Sequence, residues 1–200
     1  MTVWYCAFLY GVNIPGGRKI EKAALPNLLS NLANGFQYEG SVGNSGNLLF
    51  SGPLQASQGL SIVVKNYLNV ECVVRTLPDL QGCLQKVSPI LGSSPPSCIQ
   101  RDDAIWEVGV VFLSNPLPNA SPDSVWRYSR KNARSLCLVS PDTLLVLKRK
   151  VTSNGGRIMW GRTVLDPLQR QLQQQRISLG YLTSRSLSTV RKVVDQVNMP

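Results

Sequence analysis

The chain has 200 residues, of which 43% are hydrophobic and 16% charged, with no histidine, eleven Asp or Glu residues and a formal net charge of +10. This composition is that of a globular protein large enough for one or two domains with a buried core, and it excludes extended disorder. The missing histidine excludes Ser-His-Asp and Cys-His catalysis and histidine-containing zinc sites, and the few carboxylates disfavour a metal site, so we predict no metal and no cofactor.

The first half of the chain alternates between strand-like and helix-like segments. Aromatic and β-branched residues predict the strands, and leucines three or four positions apart predict the helices. In chain order these are a strand over residues 3–10, a helix over 22–33, strands over 36–42 and 47–51, a helix over 56–68, a strand over 70–75 and a helix over 77–87. The order β-α-β-β-α-β is that of the ferredoxin-like split βαβ unit.

The second half repeats this order after a segment rich in Pro, Ser and Gly at 88–103, which predicts a linker. Its predicted elements are a strand over 105–113, a helix over 122–131, a hairpin of 135–139 and 143–150, a turn at 154–156 before residues 157–160, a helix over 163–174, a strand over 177–182 and a helix over 187–197. We therefore predict an α+β fold with two ferredoxin-like (βαββαβ) subdomains and antiparallel sheets. The first spans 1–87, and the second spans 104–200 with the C-terminal helix.

The loop after the first strand, residues 11–19, is the leading candidate site. Its candidate ligand contacts are Gly11, Asn13, Gly16, Gly17, Arg18 and Lys19. The glycines let backbone N–H groups approach an anion, a following helix N-terminus would add a positive dipole end, and the two cations add charge. The loop matches neither GxxxxGK[ST] nor GxGxxG. The alternative is a tight turn in which the glycines supply positive φ and Asn13 bonds to local backbone.

A second candidate is the turn N-S-G-N at 44–47, with Asn44, Ser45 and Asn47 as candidate ligand contacts. A tight hairpin turn is a sufficient structural explanation of these residues. In a ferredoxin-like fold we expect this turn at the opposite end of the sheet from the first loop. The two segments would then share a site only across the subdomain junction or in an oligomer.

Basic residues are concentrated in the second half, where fifteen Lys or Arg face seven Asp or Glu (+8), against six and four (+2) in residues 1–100. They either form a solvated surface or attract the phosphates of a small ligand or a nucleic acid. Nucleic-acid binding would place its main contacts at 148–150, Arg157 and Arg185. The candidate ligand contacts in this half are Arg162, Arg185 and Lys192.

The five cysteines form no CxxC pair, and three of them lie in apolar strand-like runs. We predict five free thiols, which suits a reducing compartment. The sequence has neither an apolar run long enough to span a membrane nor a charged segment ahead of an apolar run as in a secretory leader. The expected location is cytoplasmic, without a membrane partner.

Five segments carry a family resemblance: AFLYGVNIPGGRKIEKAAL at 7–25, NSGNLLF at 44–50, VECVVRTLPDL at 70–80, GRTVL at 161–165 and TSRSLSTVRK at 183–192. In this order they resemble the signatures of the uncharacterised, mainly bacterial family catalogued as domain of unknown function 1697. The resemblance implies an α+β fold with two subdomains, and it implies no activity because none is established for the family. Five positions depart from the pattern, so a family site that used the usual Arg or Lys is altered here: Tyr10 for Arg, Pro15 for Gly, Asn44 for Gln, Val164 for Lys and Leu187 for Trp.

Three functions remain open at the level of sequence. The first is a cytoplasmic, non-catalytic binding protein for a phosphate-bearing ligand, either a nucleotide or a nucleic acid. The second is an enzyme that acts on a small phosphorylated substrate through Lys and Arg electrostatics without histidine. The third is a structural or oligomeric module. No catalytic residue and no oligomeric state follow from the sequence.

Overall fold

The computed structural model describes residues 2–13, 16–54, 57–91, 106–118, 129–130, 133–149, 154, 159, 161–174, 177 and 180–198. The first half forms the elements that the sequence predicts, in the predicted order. They are β1 (Thr2–Leu9), α1 (Leu25–Leu28), β2 (Gln37–Val42), β3 (Asn47–Pro53), α2 (Ser57–Leu68), β4 (Cys72–Thr76) and α3 (Leu77–Leu91). A 3₁₀ turn, Lys22–Ala24, precedes α1.

The first sheet has the strand order β2-β3-β1-β4, with every neighbouring pair antiparallel. Side chains alternate across a strand, so Tyr5, Ala7 and Leu9 share one face of β1. That face is buried against α2, which contributes Leu60 and Val64 to the same core. The four-residue spacing of these two positions places them on one side of the helix.

The second half repeats this topology with one added two-residue strand. Its elements are β5 (Trp106–Leu113), β6 (Ser129–Arg130), β7 (Ala133–Ser140), β8 (Thr143–Arg149), α4 (Asp166–Gln174), β9 (Leu182–Ser186) and α5 (Leu187–Asn198). The sheet order is β6-β7-β8-β5-β9, in which β7-β8-β5-β9 corresponds to β2-β3-β1-β4 of the first sheet. The predicted fold of two ferredoxin-like units with antiparallel sheets is confirmed.

The first predicted helix is much shorter than expected. The helix predicted over 22–33 reduces to the 3₁₀ turn and the four residues of α1. Pro26 fits the first turn of α1, but Ser30 bonds its hydroxyl to the Asn27 carbonyl, 3.0 Å away, and competes with helical bonding. Asn34 and Gly35 then adopt φ of 64° and 73°, which ends any helical continuation.

Three predictions in the second half also differ from the structure. The strand predicted over 177–182 begins only at Leu182, since Ile177 N–H bonds to the Leu172 carbonyl at the end of α4 and Gly180 has φ of 61°. The helix predicted over 163–174 starts as a π turn, Gly161–Leu165. The helix predicted over 122–131 lies outside the described residues except at 129–130, which form β6 instead.

Other predicted segments fall outside the described part of the chain. These are the turn at 154–156 apart from Asn154, the segment 157–160 apart from Met159, and the linker beyond residue 91. The first four residues of the predicted linker belong to α3, which continues to Leu91.

The chain divides into two compact units, Met1–Gln81 together with Ser188–Pro200, and Gly82–Leu187. Most of α3 therefore belongs to the second unit, where Lys86 Nζ donates to the Val139 carbonyl at 2.9 Å. Most of α5 belongs to the first unit, where Gln196 lies beside Gly40. The subdomain boundaries at 87 and 104 stay a prediction.

Candidate functional site

The loop between β1 and α1 closes on itself through the backbone. The N–H of Asn13 donates to the Arg18 carbonyl at 2.8 Å, and the N–H of Arg18 donates to the Gly11 carbonyl at 3.2 Å. Gly11 and Gly16 have φ of 63° and 76°, a region that glycine enters without strain. The described part of the loop, which leaves out residues 14–15, is therefore a narrow turn with its ends held together, and Gly17 and Lys19 lie on it.

The side chain of Asn13 joins this loop to the turn between β2 and β3. Asn13 Nδ2 donates to the Asn44 carbonyl at 2.9 Å and, less closely, to the Ile20 carbonyl at 3.3 Å. Its Oδ1 accepts from the Ile20 N–H at 2.9 Å. The sequence-based expectation that the loop and the turn lie at opposite ends of the sheet is therefore wrong.

The strand register explains why the β1–α1 loop and the β2–β3 turn are neighbours. β1 and β3 are antiparallel neighbours, and Phe8 near the end of β1 pairs with Asn47 at the start of β3. The C-terminal end of β1 and the N-terminal end of β3 lie at the same end of the sheet. The β1–α1 loop and the β2–β3 turn are therefore adjacent. One unit can therefore bring the two segments together without a partner subunit.

Gly46 makes the contact between loop and turn possible. Its carbonyl accepts from the Leu9 N–H at 2.8 Å, and its φ is 68°. A Cβ at this position would lie 2.4 Å from Val12 Cγ2 and 2.9 Å from Leu9 Cβ. Sequence reasoning treated this glycine only as a turn residue and missed the packing against it.

On the other side, the loop is fastened to the connection between α2 and β4. The Tyr10 N–H donates to the Glu71 carbonyl at 2.8 Å, and Arg18 Nη1 donates to the Asn69 carbonyl at 3.1 Å. Asn69 has φ of 49°, and its N–H bonds to the Lys65 carbonyl at 2.7 Å, so it caps the C-terminal end of α2. Arg18 thus reaches the carbonyl end of a helix.

A shallow depression with a cavity volume of about 10 Å³, partly open to solvent, lies between the loop and the turn. It has an apolar floor and a polar rim, and it is lined by Leu9, Asn13, Ile20, Lys22, Leu25, Ser41, Gly43, Asn44, Gly46 and Leu48. Pockets that bury a drug-sized ligand measure about 300–1,000 Å³. A volume of about 10 Å³ has room for about one water molecule, so a ligand would lie on the rim of the depression rather than inside it.

The expected contribution of a helix dipole is missing from the loop. α1 begins only at Leu25 and has four residues, so no helix starts directly behind Lys19. The prediction of an anion held at a helix N-terminus is wrong in this respect. What remains are the positive-φ glycines and the exposed cations Arg18, Lys19 and Lys22.

The three candidate residues of the β2–β3 turn differ in exposure. Asn44 and Ser45 are exposed, and Asn44 contributes its carbonyl to Asn13. Asn47 is 1% exposed, and its Nδ2 donates to the Val42 carbonyl at 2.8 Å across the hairpin. The role of Asn47 visible in the structure is to close the turn.

The basic candidates of the second half do not form one solvent-facing surface. Arg185 is buried on β9, with Nη1 donating to Thr183 Oγ1 at 2.7 Å and to the Ser184 carbonyl at 2.8 Å. Lys148 is also buried, with Nζ 3.1 Å from Glu107 Oε2. The expectation that Lys148 and Arg185 contact a nucleic acid directly is wrong, because nucleic-acid phosphates need exposed cations.

The remaining basic candidates are only partly described. Lys192 is exposed on α5, in the first compact unit. Arg162 lies in the π turn before α4, and its side chain lies outside the described part of the structure. Residues 150 and 157 lie outside the described residues altogether.

Arg185 has a counterpart in the first sheet that sequence reasoning missed. Arg75 is buried on β4, one residue before the strand ends, as Arg185 is on β9, and a helix follows directly in both cases. Arg75 Nη1 donates to the Val74 carbonyl at 2.8 Å, matching the bond from Arg185 to Ser184. The repeated Arg-Thr-Leu and Arg-Ser-Leu tripeptides at 75–77 and 185–187 were the available signal.

The described cysteines are not suited to nucleophilic chemistry. Cys6, Cys72 and Cys83 are buried thiols outside any disulfide. Loss of water around Cys72, together with the nearby Glu71 carboxylate, raises the pKa of the Cys72 thiol to about 12. Since the thiolate is the reactive form, Cys72 is inert near neutral pH. Cys98 lies outside the described residues, as does the side chain of Cys137.

We expect Cys72 to stay unlabelled when the native protein is treated with iodoacetamide at pH 8. The denatured, non-reduced protein should give five modified thiols by mass spectrometry. Fast native labelling of Cys72, or a denatured count of three or one, would contradict the prediction.

The raised pKa of Cys72 also predicts that the protein is less stable at high pH. The unfolded thiol loses its proton near its ordinary pKa of 9.0 and the folded thiol only near 12, so unfolding is favoured progressively across this interval. Cys72→Ser should remove part of this decline.

No group of three potential metal-ligating side chains occurs within the described ranges. None of the helices in that part of the chain is both long and apolar enough to cross a bilayer.

The fold defines the chain as an α+β protein of two ferredoxin-like repeats. In the first repeat, the β1–α1 loop and the β2–β3 turn are joined at one end of the sheet. The chain belongs to the family described as "Protein of unknown function (DUF1697)", whose model matches residues 1–135. A similar solved structure is that of the conserved bacterial protein SP0830 from Streptococcus pneumoniae, with a TM-score of 0.55, 17% sequence identity and coverage of 99% of this chain and 100% of that chain. At this identity the likeness shows the fold alone. No match was found among curated proteins.

The family resemblance expected from the sequence is thereby confirmed. The segments at 7–25, 44–50 and 70–80 lie inside the matched residues, and those at 161–165 and 183–192 lie beyond them. The similarity of the last two segments to the family signatures stays a prediction.

Proposed function

We propose that the chain is a non-catalytic binding protein for a phosphate-bearing ligand, held where the β1–α1 loop meets the β2–β3 turn. The observation that carries the proposal is the 2.9 Å bond from Asn13 Nδ2 to the Asn44 carbonyl. This bond makes two glycine-bearing turns into one edge of a depression whose lining includes Lys22.

The backbone of this edge favours an anion. Gly11 and Gly43 have positive φ, and backbone of this kind occurs in the concavities of N–H groups that bind phosphate and similar anions. The exposed side chains add a net charge of about +2, because Arg18, Lys19 and Lys22 outweigh Glu21. Because the depression is too small to enclose a phosphate, we place the anion on its polar rim, with the rest of the ligand outside.

The competing functions have less support. Direct nucleic-acid contact by the second half loses Lys148 and Arg185, which are buried. Within the described part of the chain, no carboxylate or thiol lines the depression to act as a general base or a nucleophile, which supports binding without catalysis. The buried thiols Cys6, Cys72 and Cys83, none of them in a disulfide, support a cytoplasmic location.

Thermal unfolding in the presence of phosphate, pyrophosphate and a nucleoside triphosphate tests the proposal. The parent protein should gain stability with rising ligand concentration, as a ligand that binds only the folded state requires. Lys19→Ala and Lys22→Ala should each weaken binding roughly tenfold, since one charged contact contributes about 1–3 kcal/mol. Both changes should leave the ligand-free midpoint nearly unchanged, because exposed lysines contribute little to stability.

Arg170→Ala is the matched control. Arg170 is exposed on α4 in the second unit, and its replacement removes one positive charge without touching the loop. The control should bind like the parent. Equal weakening by all three substitutions would indicate a general effect of net charge, and a parent protein that gains nothing from any of these ligands would refute phosphate binding.

A further inference from the structure

We infer that Arg18 is a positioning residue of this site, which holds the loop in its binding shape through α2 and does not contact the anion. The inference rests on the proposed function. It separates Arg18 from Lys19, although the two are adjacent, exposed and equally charged.

The position of the Arg18 side chain is explained by α2. Arg18 Nη1 lies 3.1 Å from the carbonyl of Asn69, the left-handed residue that caps α2. Asn69 directly follows α2, so the guanidinium donates to a carbonyl beside the negative end of the helix dipole, where a cation is also stabilised. The side chain is thereby directed to the helix end.

The backbone of Arg18 closes the loop at the same time. Its N–H donates to the Gly11 carbonyl, and its carbonyl accepts from the Asn13 N–H. Asn13 in turn bonds through its side chain to Asn44. A continuous series of contacts therefore runs from the end of α2 through Arg18 and Asn13 to the β2–β3 turn.

Loss of the first contact in this series should loosen the rest. When a loop becomes ordered only on ligand binding, the entropy cost of ordering it offsets part of the binding free energy. Removing the Arg18 side chain should therefore weaken anion binding by way of the loop. Removing the Lys19 side chain should weaken binding through charge alone, since the loop bonds around Asn13 do not involve it.

Three variants of the full chain separate these roles: Arg18→Ala, Arg18→Lys and Lys19→Ala. For each, pyrophosphate affinity is measured by calorimetry, and hydrogen exchange is followed by NMR at the backbone N–H groups of Asn13, Arg18 and Ile20. These three groups donate within the loop, Ile20 to the Asn13 side chain.

Arg18→Ala should lower the affinity roughly tenfold and accelerate exchange at all three groups, in line with the loss of a charge-assisted hydrogen bond. Arg18→Lys should recover most of the affinity and most of the protection from exchange, because an ammonium can also donate to the Asn69 carbonyl and is also favoured near a helix C-terminus. Lys19→Ala should lower the affinity with exchange unchanged.

Weaker binding by Arg18→Ala with unchanged exchange would overturn the inference, since Arg18 would then contact the anion directly while the proposed function stands. Unchanged affinity with faster exchange would also overturn it, because Arg18 would stabilise the loop without serving the site. A parent protein that binds no pyrophosphate would refute the proposed function together with the role assigned to Arg18.

Discussion

Replacement of Gly46 by alanine should lower the free energy of unfolding by about 2–5 kcal/mol, as measured by urea denaturation. Two effects combine. A non-glycine residue in the left-handed region costs about 1–2 kcal/mol, and Gly46 has φ of 68°. Forcing an extra carbon into a packed site costs about 1–3 kcal/mol more, and here the new Cβ would lie 2.4 Å from Val12 Cγ2.

Gly43 in the same turn supplies the matched control. Its φ of 64° is similar, but the nearest atom to an added Cβ is Asn47 Nδ2 at 3.9 Å. Gly43→Ala should therefore show only the backbone cost of about 1–2 kcal/mol. Val12→Ala should cost less in the Gly46→Ala background than in the parent, because there it also removes the nearest overlapping atom. Equal destabilisation by the two glycine substitutions would show that Val12 does not pack closely against the turn.

Gly52→Ala should destabilise the first unit by about 1–3 kcal/mol through overlap alone. Gly52 lies on β3, where an added Cβ would meet Phe36 Cδ1 at 2.4 Å and Cε1 at 2.8 Å. The Phe36 ring is 5% exposed and stacks edge-on against Tyr5, with ring centroids 6.0 Å apart, so it has little room to move. The backbone of Gly52 does not have a positive φ, which leaves packing as the cause.

The opposite sign is expected for Gly82→Ala. Gly82 lies within α3, and an added Cβ there meets no atom within 4 Å. Alanine is favoured over glycine in a helix interior by about 0.5–1 kcal/mol, so this variant should unfold at higher urea concentration than the parent.

The contact between Gly52 and Phe36 is tested by a double mutant. Combining Gly52→Ala with Phe36→Leu should destabilise the protein by less than the sum of the two single effects. Additive effects would show that the ring and the glycine are not in contact.

Sheet topology was predictable because the strands carry a strong local signal. Aromatic and β-branched residues mark β1 and β5, and turns rich in Gly, Asn and Pro separate the rest. The first helix and β9 were not predictable in the same way. Local side-chain bonding by Ser30 shortens the former, and the left-handed Gly180 delays the start of the latter.

The candidate site was only partly predictable. The sequence indicated the glycines and cations of the loop, but the adjacency of loop and turn depends on which strands are antiparallel neighbours and in what register. Hydrogen bonds such as that from Asn13 to Asn44 join residues 31 positions apart and follow from no local pattern.

Charge was the least reliable signal in the second half. A count of basic residues does not distinguish exposed cations from buried ones, and Lys148 is 2% exposed. The alternation of side chains along β8 did indicate that Lys148 is buried. Leu144, Val146 and Lys148 are two residues apart and share a face of the strand, and the first two are core residues. Glu107, opposite Lys148 in the register of β5 and β8, supplies the countercharge.

Whether the joined loop and turn bind phosphate is decided by an NMR titration of the isotope-labelled protein with pyrophosphate. We expect saturable shifts of backbone N–H signals within residues 11–22 and 41–46, with the same shifts strongly reduced in a Lys19→Ala/Lys22→Ala variant. Shifts confined to other parts of the chain, or no shifts up to millimolar pyrophosphate, would contradict phosphate binding at this site.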